Sequence, residues 1–300
     1  MEPTPTLRVH LHGQMLASAR AGRFPAMAVL ADTVRAQGWR VAFEPASAAP
    51  DPEPPPGDYA LLYMRRPLHP RCLTLRRAYH YPFWSIEPVA ERWRFAVALA
   101  AFDPGSVDPA RAAAFVQRLR QRVLPGPPPT RGDHVLVPLQ GHIRRARSFQ
   151  TASPVEMLDA ACRVSDRPVV ATLHPSEHYD HADHQALAQL QRRHPNLTIG
   201  GDTMALLRDC AFVVAQNSAV AFDGLILDKP VVLFAQIDFH HPCLNVADLG
   251  AQTALAAAAT ARPDHAPYLW WFLKQRAIDA QAPDAGARML AAMRRGGWPI

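Results

Sequence analysis

The chain has almost no lysine: of its 32 basic residues only Lys229 and Lys274 are lysine, and the rest are arginine. Arginine standing in for lysine, beside abundant alanine and proline, marks a GC-rich coding sequence, so the net charge of +6 says little on its own about partners. It permits an anionic membrane surface or a small anionic substrate. No helix-turn-helix, zinc finger or RNP-like aromatic motif turns it toward nucleic acid. Cysteine is scarce too. Cys72, Cys162, Cys210 and Cys243 are far apart without a CxxC pair, which excludes a zinc ribbon and a disulfide framework and leaves buried thiols as the expectation. No apolar run approaches the ~20 residues of a membrane span. The opening residues Met1-Glu2-Pro3-Thr4-Pro5-Thr6 lack the basic and apolar stretches of a secretory leader, so a cytoplasmic location is expected. Also missing are a GxGxxG after the first strand-like run and a GxxxxGK[ST] anywhere, which removes the dinucleotide fingerprint and the P-loop.

What is there is an α/β pattern in a chain of 300 residues, 49% hydrophobic, enough for two domains with cores of their own. The clearest stretch is 211–235. An apolar run ends at Gln216, Asn217 and Ser218 follow as helix-cap residues, helical apolar spacing continues to Leu227, and Lys229-Pro230 opens a second apolar run. That is strand, helix, strand, with the unalternated run of a parallel strand covered on both faces. Further α/β signals precede it: strand 134–139, helix 154–165 with a Ser153/Glu156 capping box, strand 169–173, helix from about 182 to 193, strand 197–199, and helix 203–209 capped by Asp202. A parallel sheet of at least five strands results.

The amino-terminal half reads as strand 7–11, helix 24–37 ended by Gly38, strand 39–43, an exposed Pro-rich loop at 46–57 and strand 59–64. Arg65, Arg66, Arg71, Arg76 and Arg77 come next. The aromatic stretch 79–87 reads either as a partly buried cluster or as a cleft wall offering Glu87 for acid–base work. Helices follow at 91–102 and at 109–123, the latter with Asp108 as cap. The prolines of 125–132 suggest a stiff linker, giving an amino-terminal domain 1–124 and a carboxyl-terminal domain 133–300 with terminal helices at 268–281 and 285–294.

Three turns of the second sheet carry polar groups after a strand: Gln140-Gly141-His142 with Arg144, Arg145, Arg147 and Ser148; His174-Pro175-Ser176-Glu177; and Gln216-Asn217-Ser218. A helix start, a histidine and arginines at one sheet edge supply fixed donors for phosphate oxygens. Asp238, in Asp238-Phe239-His240-His241, falls at a strand end on the same edge and reads either as an acid or as a polar turn. His174, His178, His181 and His184 with Asp180 and Asp183 have a spacing that could point two histidines at one ion. At a helix start and with no cysteine, they read instead as solvated residues, and no metal or cofactor is expected.

Val-Pro-Leu-Gln (137–140), Ser-Pro (153–154), Leu-His-Pro (173–175) and Gln-Asn-Ser-Ala-Val-Ala-Phe-Asp-Gly-Leu with Lys-Pro-Val (216–231) resemble, in order and spacing, the motifs of the capsule polysaccharide biosynthesis family. The resemblance covers about residues 134–245. It implies a glycosyltransferase of the GT-B type, two Rossmann-like α/β domains facing across a cleft, that transfers Kdo from its CMP-linked donor to a glycan or glycolipid acceptor. Carried over, the His174-Pro175 and Gln216-Asn217-Ser218 turns would lie on the CMP side, with His174 and with Ser218 and its helix meeting the phosphate; Gln140 and Arg144, from the polar turn after strand 134–139, are expected in the same nucleotide site. Family transferases carry acidic residues after the Val-Pro-Leu-Gln segment, where this chain has Gly141-His142-Ile143-Arg144-Arg145. Either Glu87, His142 or Asp238 takes that role, or the chain binds a nucleotide or glycan without turning it over. The amino-terminal half is short for an acceptor domain, which leaves room for a partner chain or membrane surface to complete the site.

Overall fold

Alternation in the first strand, β1 (Thr6–Leu11), puts Leu7, Val9 and Leu11 on one face, and all three are fully buried. Around β1 the computed structural model, which describes residues 4–46 and 53–300, builds a six-stranded sheet. Two helices follow β1, α1 (Gly13–Arg20) and α2 (Pro25–Ala36), and Gly38, at φ +83, turns the chain after α2 into β2 (Arg40–Pro45). Then come β3 (Tyr59–Tyr63), β4 (Cys72–Arg77) and β5 (Phe83–Glu87). Strands β2, β1, β3 and β4 are mutually parallel, and β5 is antiparallel to β4. Residues 47–52 of the expected Pro-rich loop lie outside the described residues.

The helix expected over 91–102 is a single 3-10 turn (Arg92–Arg94) and a short helix α3 (Ala96–Leu99). Phe95 separates them. It is extended (ψ 152) and buried, and its ring is placed in the core at the expense of helical continuity.

The second sheet is built in one direction only. After α4 (Pro109–Val123), capped by Asp108, the chain runs β6 (Val135–Pro138), α5 (Pro154–Val164), β7 (Val169–Thr172), α6 (His181–Arg193), β8 (Leu197–Ile199), α7 (Thr203–Asp209), β9 (Phe212–Ala215), α8 (Ala219–Ile226) and β10 (Val231–Leu233). It closes with β11 (Leu244–Asn245), α9 (Val246–Leu249), α10 (Ala251–Thr260) and α11 (Ala266–Trp270). All pairings are parallel, in the order β11-β10-β9-β6-β7-β8. This is the Rossmann order, in which the winding reverses between the first and fourth strands, here β6 and β9. Its interior is aliphatic: every residue of β6, β9 and β10 is buried, and each Val or Leu so placed contributes about 1.5–3 kcal/mol relative to exposure.

The division of the chain differs from the sequence-based one. One unit is Met1–Ala100 with Phe272–Ile300, the other Ala101–Trp271. The Pro-rich segment 125–132 does not separate them, because it is pinned to the second unit. Arg208 donates to the carbonyls of Leu124 and Pro125, Lys229 Nζ to that of Thr130, and the Gly132 N–H to Asp209 O at 2.7 Å. The helix expected over 268–281 also ends early. A π-helical segment (Trp271–Arg276) gives way to β12 (Ile278–Asp279), which pairs antiparallel with β5 and supplies the sixth strand of the first sheet. Asp279 makes the change of course, its carboxylate taking Lys274 Nζ at 2.5 Å and the Gln281 N–H at 3.0 Å. The last helix, α12 (Ala285–Arg295), packs on α2 and β5. Among the described residues no helix is long and apolar enough to cross a membrane.

Candidate functional site at the reversal of the second sheet

Where winding reverses, the connections from β6 and β9 leave in opposite directions and a crevice opens beyond their carboxyl ends. The residues there are the two turns read from sequence, Gln140-Gly141-His142 after β6 and Gln216-Asn217-Ser218 after β9. The β6–α5 connection lies against the neighbouring strand ends: Thr151 N–H donates to Phe234 O, Gln236 N–H to Phe149 O, and Gln216 Nε2 to Ala152 O at 2.8 Å.

The chemistry of this edge shows in what it leaves unpaired. Nine buried side-chain nitrogen or oxygen atoms among the described residues have no hydrogen-bond partner, and five are here: Gln140 Oε1, Arg147 Nε, Gln150 Nε2, Gln216 Oε1 and Asn217 Oδ1. An unpaired buried polar atom costs about 1–3 kcal/mol, so five along one connection and the turn it crosses mark a surface prepared for a polar ligand. Three are acceptors and two are donors, a mixture suited to a heterocycle and its sugar. Arg147 adds a cation stacked at 4.9 Å over the Phe149 ring. Burial lowers its pKa, opposed by the charge of Glu177.

Two further groups stand at this edge. Ser218 is 4% exposed and caps α8, its hydroxyl oxygen accepting from Val220 N–H at 3.2 Å. Val220 N–H is used by this cap and Ala221 N–H by the Ser218 carbonyl, so the hydroxyl proton and the Ala219 N–H remain as donors. His174, exposed after β7, is fixed by its own turn: its backbone N–H donates to the Tyr179 hydroxyl at 3.0 Å, and its Nδ1 accepts from Ser176 N–H at 3.2 Å. With Nδ1 accepting, the neutral ring carries its proton on Nε2, a donor facing outward. Strands β7 and β9 flank β6, so their ends stand ~10 Å apart, the span of a sugar phosphate. Pro175 is exposed in the same turn.

Arg144 is placed differently from its sequence-based role on phosphate. Its Nε donates to Asp183 at 2.7 Å and a terminal nitrogen to Asp180 at 2.7 Å. The hydrogen bond to Asp183 leads the causes that raise its pKa. Burial pushes the Asp183 carboxyl up, yet the bonds from Arg144 and from the Asp180 backbone outweigh it and leave the group below its ordinary value. Asp180 and Asp183 form the capping box of α6, so Arg144 ties the β6 turn to the start of α6. The histidine cluster is dispersed around them: His181 Nε2 faces Gln185, and the His184 ring sits 6.4 Å from Tyr179. Among the described residues no group of three His, Cys, Asp or Glu is placed to hold a metal ion.

Of the acid–base candidates, His142 is exposed at φ +58, a left-handed conformation uncommon outside glycine. It lines an open groove of about 450 Å³ with Arg145, Glu177 and His178. Asp238 is buried in the β10–β11 connection, beyond a strand end of the same sheet. Glu87 belongs to the first unit, where it is buried, accepts the Ala96 N–H at 3.3 Å and lines a cavity of about 230 Å³ with Arg276, Arg288 and Arg295. Sequence reading placed Arg147 in the polar turn after β6 but did not single out Gln150, which no motif contains and only the fold of the connection brings to the edge.

The architecture is thus α/β with two Rossmann-like units, one on a mixed sheet and one on a parallel sheet. No protein-family model matches the chain, and no curated protein matches it. Similar solved structures include two of Thermosulfurimonas dismutans KpsC. The β-Kdo 2,7-transferase has 13% identity and a TM-score of 0.49 over 84% of this chain and 90% of its own. The β-Kdo 2,4-transferase has 12% identity and a TM-score of 0.45 over 87% and 88%. UDP-GlcNAc 2-epimerase of Methanocaldococcus jannaschii, in complex with UDP-GlcNAc and UDP, aligns over 98% of this chain and 100% of its own at 6% identity and a TM-score of 0.36. It is this chain's own residues that carry the functional reading.

Proposed function

We propose that the second unit binds a nucleotide-activated sugar, CMP-linked and Kdo-like, and that the chain is a cytoplasmic glycosyltransferase-like protein of capsule or exopolysaccharide synthesis. The observation that carries this is the convergence of five unpaired buried polar atoms with the start of α8 at the reversal of a parallel sheet. In this reading the base and ribose lie along Gln140, Arg147, Gln150, Gln216 and Asn217. The phosphate meets the Ser218 hydroxyl, the Ala219 N–H at the start of α8 and His174 Nε2–H. As the glycosidic bond breaks, charge builds on that phosphate, and donors already in place stabilise it without reorganisation. The first unit takes the glycan or glycolipid acceptor.

The test is a thermal-shift panel of CMP, UDP, GDP and ADP on the wild-type chain and on Ser218→Ala combined with His174→Ala. A ligand bound only by the native state raises the melting temperature by mass action. Stabilisation by CMP, lost in the double variant, is the expected outcome; no shift with any nucleotide removes the proposal. A second reading, a homologue that binds without catalysis, has its own observation: residues 141–145 contain no carboxylate, and Arg144 there is already held by two.

A further inference from the structure

Three carboxylates line the groove beside the β6 turn, and two are already in use. Asp180 and Asp183 cap α6 and hold Arg144. The third, Glu177, is exposed, and among the described residues its carboxylate has neither a hydrogen bond nor an ion pair. It is seated on the backbone of Gly141: a Cβ added there would lie 2.1 Å from Glu177 Oε2 and 2.8 Å from Cδ. Gly141 is not among the glycines of positive φ, so what it provides is close approach and not an unusual backbone. The turn that lacks an acidic side chain of its own therefore receives a carboxylate from the β7–α6 connection. That carboxylate lies next to Gln140, whose Oε1 is unpaired, and three residues from His174.

We infer that Glu177 is the general base of the transfer reaction, an inference that rests on the function proposed above. Its carboxylate takes the proton of the acceptor hydroxyl while that oxygen bonds to the anomeric carbon. The bond from the anomeric carbon to the phosphate oxygen breaks, and its electron pair leaves with the nucleotide, where Ser218 and His174 Nε2–H receive the charge. Among the described residues the carboxylate is hydrogen-bonded to no cation, which fits this role, since a base already bonded to a cation is a weak proton acceptor. Arg147, on which its charge acts, and His142, Arg144, Arg145, His178, Asp180 and Asp183 of the groove are the charged and titratable groups around it.

The experiment measures CMP release from CMP-Kdo, with water in the acceptor's place, together with the CMP-induced rise in melting temperature. It compares the wild-type chain with E177Q, E177D and G141A. All four are expected to be stabilised by CMP. Release by E177Q falls about 10²-fold or more and loses the acid limb of its pH profile, while E177D keeps a measurable part. G141A, whose methyl group displaces the carboxylate from the turn, falls with E177Q. Release by E177Q at the wild-type rate overturns the assignment. So does a wild-type chain that binds CMP and releases none above the buffer rate. A wild-type chain that CMP does not stabilise removes the nucleotide reading and this inference with it, a pattern distinct from the other two.

Discussion

Both units are six-stranded α/β sheets, yet they treat the polar groups at their strand ends in opposite ways. In the first, Arg8 on β1 is bound by Glu44 and by Asp58 at 2.8 Å, and Glu87 at the end of β5 accepts a backbone N–H. Among its described residues four buried atoms are unpaired, on His10, Arg71, Trp84 and Trp298, and they belong to separate elements. In the second, the strands are almost wholly aliphatic and the unpaired atoms gather on one connection and the turn it crosses. Satisfaction of polar groups is the rule inside proteins, so a local failure of the rule separates a surface built for stability from one built for a ligand.

Experiments can break this contrast. The largest expected effect is on stability, from Lys229→Met. Lys229 is 3% exposed and donates to the carbonyls of Thr130 and Cys210, the latter at 2.7 Å, so the substitution leaves the buried Cys210 acceptor unpaired and frees the Pro-rich segment at the exposed Thr130. A loss of about 2 kcal/mol by chemical denaturation is expected. A loss below about 1 kcal/mol would mean that water replaces the ammonium. Next comes Ser218→Ala with His174→Ala, which should weaken CMP about 10- to 100-fold by titration calorimetry, as hydrogen bonds to a charged group imply, and should cost the apo chain about 1 kcal/mol because Ser218 also caps α8. Arg8→Met should differ in the binding readout: a loss of about 1 kcal/mol from a partly exposed ion pair, with CMP affinity intact. If Arg8→Met impaired binding as the double variant does, the contrast between the two units would fail.

The smallest effect is on pH dependence. His265 is buried against Lys229 O at 3.0 Å, and burial lowers its pKa from 6.5. As pH falls through 6.5 the unfolded chain takes up a proton that the folded one resists, so stability should decline below that value. His265→Gln should reduce the slope between pH 7 and 5 in a denaturation series, and an unchanged slope would assign the decline to another group.

The sequence was most legible where a signal is local. Asp108-Pro109, Ser153/Glu156 and Asp202 mark helix starts that the structure keeps, and the run after Pro230 is β10. It was least legible where pairing is distant. β4 reads as an arginine-rich connection because Arg76 and Arg77 hide four buried residues before them, and α1 begins without a side-chain cap. β12 is only two residues long, so what makes it a strand is Trp84, almost two hundred positions earlier. The site divides along the same line. His174 and Ser218 stand in recognisable turns, whereas Arg147, Gln150 and the seat of Glu177 on Gly141 depend on how connections lie across the edge.

The return of the last segment to the first sheet has a consequence for biosynthesis. Every strand of the second unit emerges from the ribosome before β12, so that unit can fold while the chain is still being made, whereas the first waits for residues 272–300. A premature stop near residue 270 would therefore leave the second unit with its whole sheet and strip a strand and a helix from the unit that was translated first.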